Sequence, residues 1–411
     1  MKYSLLVVLC LAAMTSFAQR PKAVFIIVDG IPADVIESVN TTTLDQIEHI
    51  GGYTRAYVGG QKGTYSETPT ISAPGYINLL TGTWANKHNV TDNYDQSPNY
   101  NYWNIFRIAE AVDSSIKTAI FSTWLDNRTV LVGEGQPDAG QFKIDYAFDG
   151  LELDTVQYPH DKNARYIFNI DEQVSQHAAE YIRNESPDLS WVYLEYTDDV
   201  GHDKGDSPAF IDAVLKADNQ VKRIWEAVQY RQALGENWLI VVTTDHGRDS
   251  LTGQNHGGQS ARERLTWIST NASGLNSRFN TNQIAITDIT PSILSYMGIE
   301  APTDVLREMD GTAFIGPVSI HNLSAKLHGN QLTLQWFPDK PNGVINFQIA
   351  FSNQFATSGI DAYQHLGSIP VQSTQAVFTL NAGQMAQYKK SGFLKIVAEA
   401  PYNFANCWIT E

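Results

Sequence analysis

The residues best suited to chemistry are aspartates and histidines that follow three apolar runs of the sequence. Asp29 follows the first run, and Asp198 precedes His202 by four positions after the second. Asp245 and His246 are adjacent after the third run, where the chain must turn at a glycine. Side chains four positions apart can reach one ion from a helical turn or a loop. Carboxylates and imidazoles suit zinc, with manganese as the harder alternative, so these residues predict a metal site.

His256 is a third histidine with the same potential. It lies in the segment Asn-His-Gly-Gly at 255–258, and a glycine-rich loop lets the backbone come close to a ligand. Each residue also has an ordinary alternative role: Asp29 as a helix cap, His202 as a surface residue and His256 as part of a loop. Acidic residues at three strand ends, with three histidines nearby, favour the metal site over these alternatives.

Ser72 is the candidate nucleophile. It precedes Pro74 by two positions, a spacing typical of a helix that starts with serine as the N-cap and proline in the first turn. An ordinary N-cap is therefore the alternative interpretation. The same position would also suit catalysis, because a helix N-terminus offers free N–H groups and the positive end of its dipole to a phosphate. A metal ion would lower the pKa of the hydroxyl and make it a nucleophile.

The elements that must position these residues are strands of a parallel sheet. The three apolar runs, at 23–28, 191–194 and 238–242, are continuous, as strands covered on both faces are. Apolar residues at helical spacing occur between them, most clearly over 208–233 and also over 74–80 and 164–182. We therefore predict an α/β fold with a doubly wound sheet and helices on both faces. In such folds, ligands bind outside the carboxyl ends of the strands.

The pattern changes after Gly316 to a period of two. Apolar residues alternate with polar ones around Leu332, Ile345 and Leu394, and turn sequences separate these runs. We predict a small C-terminal β-sandwich over 317–411, which resembles a fibronectin type III module in size and strand pattern. The α/β region is predicted to cover residues 19–316.

The first 18 residues have the features of a signal peptide. Lys2 gives a positive start, Leu5–Ala13 is apolar, and Ser16 and Ala18 are the small residues expected before a cleavage site. We expect an exported protein, periplasmic or extracellular, with no transmembrane helix after cleavage. The net charge of −16 supplies no basic surface for nucleic acid, and two cysteines exclude a thiolate metal cluster and a disulfide scaffold.

Taken in order, these segments resemble the alkaline phosphatase superfamily, and most closely its nucleotide pyrophosphatase/phosphodiesterase branch. The resemblance covers about residues 22–316, including Leu80-Thr81-Gly82 and the stretch 287–294. It implies an alkaline-phosphatase-like fold, two zinc ions and a phosphoseryl intermediate on Ser72. Carried over residue by residue, it implies two ligand sets: Asp198, His202 and His256 in one, and Asp29, Asp245, His246 and the oxygen of Ser72 in the other.

Departures from that branch affect the predicted substrate. The branch usually has a threonine nucleophile followed by an asparagine that touches a phosphate oxygen, where this chain has Ser72 and Gly75. Asn93 is the expected replacement contact. Some bacterial monoesterases of the superfamily carry a lysine and an arginine on a loop where this chain has only Arg128, out of register. A monoester dianion needs more positive charge, so the missing lysine favours diesters or pyrophosphates.

Two aromatic residues, Trp124 and Tyr94, flank the predicted site in sequence. A pair of rings could hold a nucleobase or another flat leaving group between them, and ordinary packing is the alternative for each ring. The chain is thus predicted to be an exported hydrolase of a small phosphoric diester or pyrophosphate, with two divalent ions, most simply Zn²⁺.

Other activities stay open as alternatives. A phosphomonoesterase would use the same site, and a non-catalytic protein would bind phosphorylated ligands there while the β-sandwich docks a protein or glycan. A phosphotransferase is disfavoured because such relatives usually carry transmembrane segments. Tyr76 stands where the sulfatase signature has arginine, which disfavours a sulfatase. The signal peptide and the β-sandwich disfavour a phosphoglycerate mutase.

Overall fold

The computed structural model describes residues 20–94, 96–281 and 283–410. The predicted signal peptide lies outside these residues. None of the helices in the described ranges is long and apolar enough to cross a bilayer.

One eight-stranded sheet forms the centre of the α/β region. Its strands are β1 (Lys22–Val28), β2 (Gly52–Tyr57), β3 (Thr118–Ser122), β4 (Tyr146–Phe148), β5 (Leu189–Leu194), β6 (Trp238–Thr243), β7 (Leu265–Thr270) and β8 (Ile284–Ala285). Their order is β4-β3-β5-β1-β6-β7-β2-β8. All neighbours are parallel except β7, which is antiparallel to both β6 and β2. The three apolar runs are the adjacent central strands β5, β1 and β6, as their sequences predict.

Helices cover both faces of this sheet, which confirms the predicted fold class. They are α1 (Ala33–Ile36), α2 (Thr42–Ile50), α3 (Ser72–Thr81), α4 (Ala85–His88), α5 (Ile105–Val112), α6 (Arg165–Glu185), α7 (Tyr196–Lys204), α8 (Pro208–Ala233), α9 (Ile289–Met297) and α10 (Thr303–Glu308). Shorter helical turns are Asn127–Val132, Leu151–Leu153, Ser277–Asn280 and Ile286–Asp288. Phe25 of β1 contacts the core under α3, α5 and α9, while Val24 and Ile26 contact the core under α6 and α8. Both faces of β1 are buried, which explains its continuous apolar sequence.

Two antiparallel sheets follow and form the predicted β-sandwich. The strands are β9 (Ile320–His328), β10 (Gln331–Pro338), β11 (Val344–Ala350), β12 (Gln364–Pro370), β13 (Gln375–Thr379), β14 (Phe393–Glu399) and β15 (Phe404–Thr410). One sheet has the order β13-β10-β9 and the other β12-β11-β14-β15. Helical segments are Gln354–Thr357, Val371–Ser373 and α11 (Ala382–Ser391). Inward-facing residues such as Trp336, Phe347 and Ile396 form one core between the sheets.

The β-sandwich packs directly against the α/β region. The ring of Tyr65 stacks on Trp408 of β15, with centroids 5.4 Å apart. The Asn101 side chain donates a hydrogen bond of 2.9 Å to the carbonyl of Ala356. Aromatic, polar and charged contacts therefore fix the sandwich in one position on the larger region.

Candidate active site

The first cluster consists of Asp29, Asp245 and His246, all fully buried. Asp29 directly follows β1, and Asp245 and His246 follow the neighbouring strand β6. The Nε2 atom of His246 lies 3.4 Å from Asp29 Oδ1 and 3.4 Å from Asp245 Oδ2. One donor atom from each residue thus faces the same point, because the carboxyl ends of adjacent parallel strands meet at one edge of the sheet.

The second cluster consists of Asp198, His202 and His256. Asp198 and His202 lie one helical turn apart on α7, with His202 Nε2 at 3.2 Å from Asp198 Oδ2. The Nε2 atoms of His202 and His256 are 3.0 Å apart. Asp171 of α6 holds this helix in place, because its carboxylate accepts hydrogen bonds from the backbone N–H groups of Glu195, just before α7, and of Tyr196, its first residue.

Two of the histidines have their tautomers fixed by backbone carbonyls. His246 Nδ1–H donates to the carbonyl of Gly247 at 2.9 Å, and His256 Nδ1–H donates to the carbonyl of Thr70 at 3.0 Å. In each ring the Nε2 atom is therefore the unprotonated nitrogen, and it faces its cluster. This arrangement is typical of histidines that bind metal ions.

The carboxylates of the first cluster have oxygen atoms that lack partners. Asp29 Oδ2 accepts hydrogen bonds from the hydroxyls of Tyr76 and Tyr193, but Asp29 Oδ1 and Asp245 Oδ2 are buried and have none among the described residues. Burial, reinforced by the neighbouring carboxylates, raises the pKa of Asp29 well above its usual range. Burial and the charge of Asp198 raise the pKa of Asp245 to about 7. Buried carboxylates of this kind are stabilised by a bound cation, so the donor set fits a divalent metal ion.

The free energy of unfolding of the metal-free protein should fall as the pH rises from about 4 to about 7. An unfolded aspartate has a pKa of about 4, whereas that of folded Asp245 is about 7. Its contribution is therefore fully present below about pH 4 and is lost as the pH rises to about 7. We expect urea unfolding to show wild type losing stability relative to Asp245→Asn across this window, and Zn²⁺ to reverse the loss. A constant difference between the two proteins would contradict this expectation.

Ser72 is the first residue of α3 and is buried beside the first cluster. Its Oγ atom lies 3.2 Å from His246 Nε2. The alternative interpretation as an N-cap is wrong, because Ile71 occupies that position and the Ser72 hydroxyl contacts His246 instead of a backbone N–H. The hydroxyl is thus free of a capping role and contacts His246 of the first cluster.

The N-terminus of α3 offers fewer free N–H groups than expected from the sequence. Asn93 Oδ1 accepts a hydrogen bond of 2.8 Å from the N–H of Ala73, Pro74 has no N–H, and the N–H of Gly75 bonds to the carbonyl of Ile71. The Asn93 amide nitrogen has no hydrogen bond recorded among the described residues. Asn93 therefore brings a donor to the nucleophile's helix, in keeping with its predicted contact to phosphate.

Gly75 and Trp124 lie close to the site for different reasons. A Cβ atom on Gly75 would come within 2.9 Å of both the Cβ and the carbonyl oxygen of Asp245, so close packing of α3 requires glycine there. Trp124 packs its ring edge-on against Tyr76, with centroids 6.4 Å apart. Trp124 thus borders the tyrosine that contacts Asp29, while Gly75 has no side chain to offer a substrate.

Arg128 and Tyr94 have no contact that connects them with Ser72. The Arg128 guanidinium pairs with Asp149 at 2.6 Å and also with Glu134. These carboxylates raise the pKa of Arg128 and use its charge. The Tyr94 side chain is 99% exposed. Substrate binding by these two residues stays a prediction that the geometry does not support.

Arg248 is a site residue that the sequence analysis missed. It is fully buried, contacts the Asp198 carboxylate, and donates to the carbonyls of Gly30 at 2.9 Å and of Asp198 at 2.8 Å. Burial opposes ionisation of Asp198, but Arg248 and the nearby histidines hold its pKa well below the usual range. A Cβ atom on Gly201 would lie 2.2 Å from the Arg248 guanidinium carbon. Glycine at 201 therefore makes room for an arginine that orients Asp198.

Replacing Arg248 with methionine should weaken the binding of one of the two expected metal ions. Groups that orient a ligand typically change metal affinity by about 10- to 100-fold. We expect competitive titration with a chromophoric chelator to show one Zn²⁺ equivalent of wild-type affinity and one that is weaker. Arg248→Lys should be intermediate, since lysine keeps the charge but not the planar fork. Two equivalents of unchanged affinity in Arg248→Met would refute the role.

Comparison of the sequence with protein families identifies the family of this chain. The sequence model of the type I phosphodiesterase / nucleotide pyrophosphatase family matches residues 23–312, which include all six clustered residues and Ser72. The chain belongs to this family. The resemblance to the alkaline phosphatase superfamily that the residues predict is thereby confirmed.

The curated relatives of this chain share only low sequence identity with it. GPI ethanolamine phosphate transferase 1 of Candida glabrata is 21% identical over 373 residues, which cover 80% of this chain and 38% of that protein. A 2,3-bisphosphoglycerate-independent phosphoglycerate mutase of Mesoplasma florum is 25% identical over 135 residues, which cover 33% of this chain and 24% of that protein. The chain thus spans well under half the length of these curated relatives.

Solved structures resemble the type I phosphodiesterase chain in fold. A candidate sulfatase of Bacteroides thetaiotaomicron has a TM-score of 0.50 at 11% identity, covering 90% of this chain and 89% of that chain. Murine ectonucleotide pyrophosphatase / phosphodiesterase 5 has a TM-score of 0.48 at 14% identity, covering 68% of this chain and 96% of that chain. At these identities the likeness concerns the fold alone.

Proposed function

We propose that this chain is an exported, metal-dependent hydrolase of small phosphoric diesters or pyrophosphates, with Ser72 as the nucleophile. The observation that carries the proposal is the position of the Ser72 hydroxyl, 3.2 Å from His246 Nε2 at the start of α3. Membership of the type I phosphodiesterase / nucleotide pyrophosphatase family supports the same class of reaction.

The residues that would hold two divalent ions, most simply Zn²⁺, are the two clusters. Asp198, His202 and His256 form one set, and Asp29, Asp245 and His246 form the other, with Ser72 beside it. Bound there, the ions would neutralise phosphoryl oxygens and lower the pKa of the serine hydroxyl.

The chain's own residues support a covalent route. Ser72 Oγ would form a bond to phosphorus while the bond from phosphorus to the leaving oxygen breaks. The Asn93 amide nitrogen would donate a hydrogen bond to a phosphoryl oxygen during this step. Water would then break the bond between Ser72 and phosphorus, which returns the hydroxyl and releases the product.

The charges around Ser72 favour a monoanionic phosphoryl group. Arg248 is occupied by Asp198, and Arg128 is occupied by Asp149 and Glu134. Neither guanidinium is therefore free to bind the extra negative charge of a monoester dianion. This supports diesters or pyrophosphates as substrates.

A side-by-side assay tests the substrate class. With added Zn²⁺, kcat/KM for bis-p-nitrophenyl phosphate should exceed that for p-nitrophenyl phosphate. A much higher kcat/KM for the monoester would instead establish the phosphomonoesterase alternative. A purified protein with less than about one metal ion per chain and no turnover would favour a phosphoryl-ligand binding protein.

Phosphoryl transfer to an alcohol is a second candidate function. It is supported by the similarity of the chain to a GPI ethanolamine phosphate transferase of Candida glabrata. The two candidates differ only in whether water or an alcohol takes the group from Ser72. When the ester is cleaved in the presence of ethanolamine or glycerol, only the product of hydrolysis should form. A phosphorylated alcohol as the main product would establish transfer.

Export and a docking role for the β-sandwich are proposals that rest on the sequence. The N-terminal segment supports export to the periplasm or the cell exterior. N-terminal sequencing of the secreted protein should begin at Gln19. Retention of Met1 in a cytoplasmic protein would refute export.

A further inference from the structure

A cavity lies at the junction of the α/β region and the β-sandwich. Its volume is about 500 Å³, within the range of small-molecule sites. Tyr57 at the end of β2 and Arg264 just before β7 contribute one wall. Asn322 of β9 and Asn406 of β15 contribute the other. None of the clustered aspartates and histidines lines it, so it is separate from the candidate active site.

Arg264 gives this cavity an unbalanced positive charge. Its guanidinium donates to the carbonyls of Val58, at 3.3 Å, and of Gly60. In the described ranges no carboxylate lies within 4.0 Å of it. In a protein of net charge −16, an arginine that meets only carbonyl oxygens can attract an anion.

The other charges of the cavity wall are already paired. Arg278 is buried and pairs with Asp288 at 3.0 Å. Asp310 pairs with Lys87 at 2.6 Å. The Nε–H of Arg278 is a buried donor without a hydrogen-bond partner among the described residues. Arg264 therefore remains as the unpaired charge, next to a second guanidinium with one unused donor.

The rest of the lining is rich in groups that bind hydroxyls. Amides, hydroxyls and aromatic rings surround the arginines: Gln61, Gln283, Asn322, Ser324, Tyr57 and Tyr65. Polar atoms contribute most of this lining. Such a mixture suits a polyhydroxylated ligand, since each ring hydroxyl can both donate and accept a hydrogen bond.

We propose that this cavity binds an anionic saccharide, whose charged group pairs with Arg264. The charged group is a carboxylate, as in a uronic acid, or a phosphate, as in a sugar phosphate. Both can accept two parallel N–H hydrogen bonds from one guanidinium. The bound saccharide would contact both the α/β region and the β-sandwich.

Calorimetric titration of the full chain with three probes tests the proposal: glucuronate, glucose 6-phosphate and glucose. At least one anionic probe should bind more tightly than glucose. Arg264→Gln should weaken that binding by about 10-fold or more, the usual effect of losing a charged hydrogen bond. Lys222→Gln removes an exposed cation on α8 and is the matched control, which should leave binding unchanged.

A second variant protects the test against misfolding of Arg264→Gln. Gln61 is exposed on the cavity wall, so Gln61→Glu should fold normally and offer Arg264 a competing carboxylate. It should weaken the same anionic probe. If both anions bind, the cavity recognises negative charge in either group. If only one binds, the cavity is specific for a carboxylate or for a phosphate. No binding of either anion, equal binding of glucose, or wild-type affinity in both variants would overturn the proposal.

Discussion

Ser72→Ala should abolish hydrolysis while leaving the fold and metal content intact. The hydroxyl makes no helix cap, and its recorded hydrogen-bond contact is with His246. Its loss removes the nucleophile, and the buried His246 Nε2 atom that loses this contact keeps the metal ion as its expected partner. Loss of a nucleophile costs on the order of 10³- to 10⁶-fold in kcat. Steady-state kinetics on the preferred ester, with metal analysis of the same sample, measure both parts of this expectation.

Ser72→Thr is the matched control for this substitution. Threonine keeps a hydroxyl at the same position and should retain activity well above that of Ser72→Ala. Brief incubation of wild type with a diester, followed by acid quenching, should trap the phosphoryl group, with its remaining ester substituent, on the peptide that contains Ser72. Full activity of Ser72→Ala, or a phosphoryl group trapped on another residue, would exclude Ser72 as the nucleophile.

The grouping of the aspartates and histidines could be predicted because their signals are local. Asp29 and Asp245 each follow a strand that the sequence identifies by its continuous apolar residues, and adjacent parallel strands bring such positions together. Asp198 and His202 have helical spacing, and they do lie on one turn of α7. The grouping of the six side chains therefore followed from the order of strands and the family resemblance.

Other parts of the site depend on contacts between distant segments and could not be predicted. Arg248 acts through Asp198, fifty positions earlier in the chain, and only the missing side chain of Gly201 makes room for it. The sequence predicts Arg128 as a substrate contact, but the fold pairs it with Asp149 of another loop. Tyr76 is a partial exception, since it lies four residues after Ser72 on the same helix face.

The strands β7 and β8, at one side of the sheet, could not be predicted from the sequence patterns either. β7 is antiparallel to both of its neighbours, and β8 has only two residues. Two residues are too few to reveal a strand period in β8, and the direction of β7 depends on the strands it pairs with rather than on its own sequence. Their position matters for the cavity at the junction with the β-sandwich, because Tyr57 at the end of β2 and Arg264 before β7 line it.

The junction between the α/β region and the β-sandwich depends on a buried lysine. Lys395 of β14 is fully buried and donates to Glu308 at the end of α10. It also donates to Asp361 at 2.8 Å and to Asn353 at 2.9 Å. One ammonium group from the sandwich therefore pairs with two buried carboxylates, one from each part of the chain. Buried charges are tolerated only when they are paired in this way.

Lys395→Ala should therefore lower the free energy of unfolding by roughly 3–5 kcal/mol, the cost of leaving buried charges unpaired. That is a large part of the stability of a typical domain, about 5–15 kcal/mol. Urea unfolding followed by fluorescence measures the change, and Lys389→Ala, an exposed lysine on α11, should change it little. Lys395→Met fills the space without the charge and should remain destabilised. Adding Glu308→Gln and Asp361→Asn to Lys395→Met should recover stability, because no unpaired carboxylate then remains. Full stability of Lys395→Met alone would show that packing, rather than charge pairing, holds the two parts together.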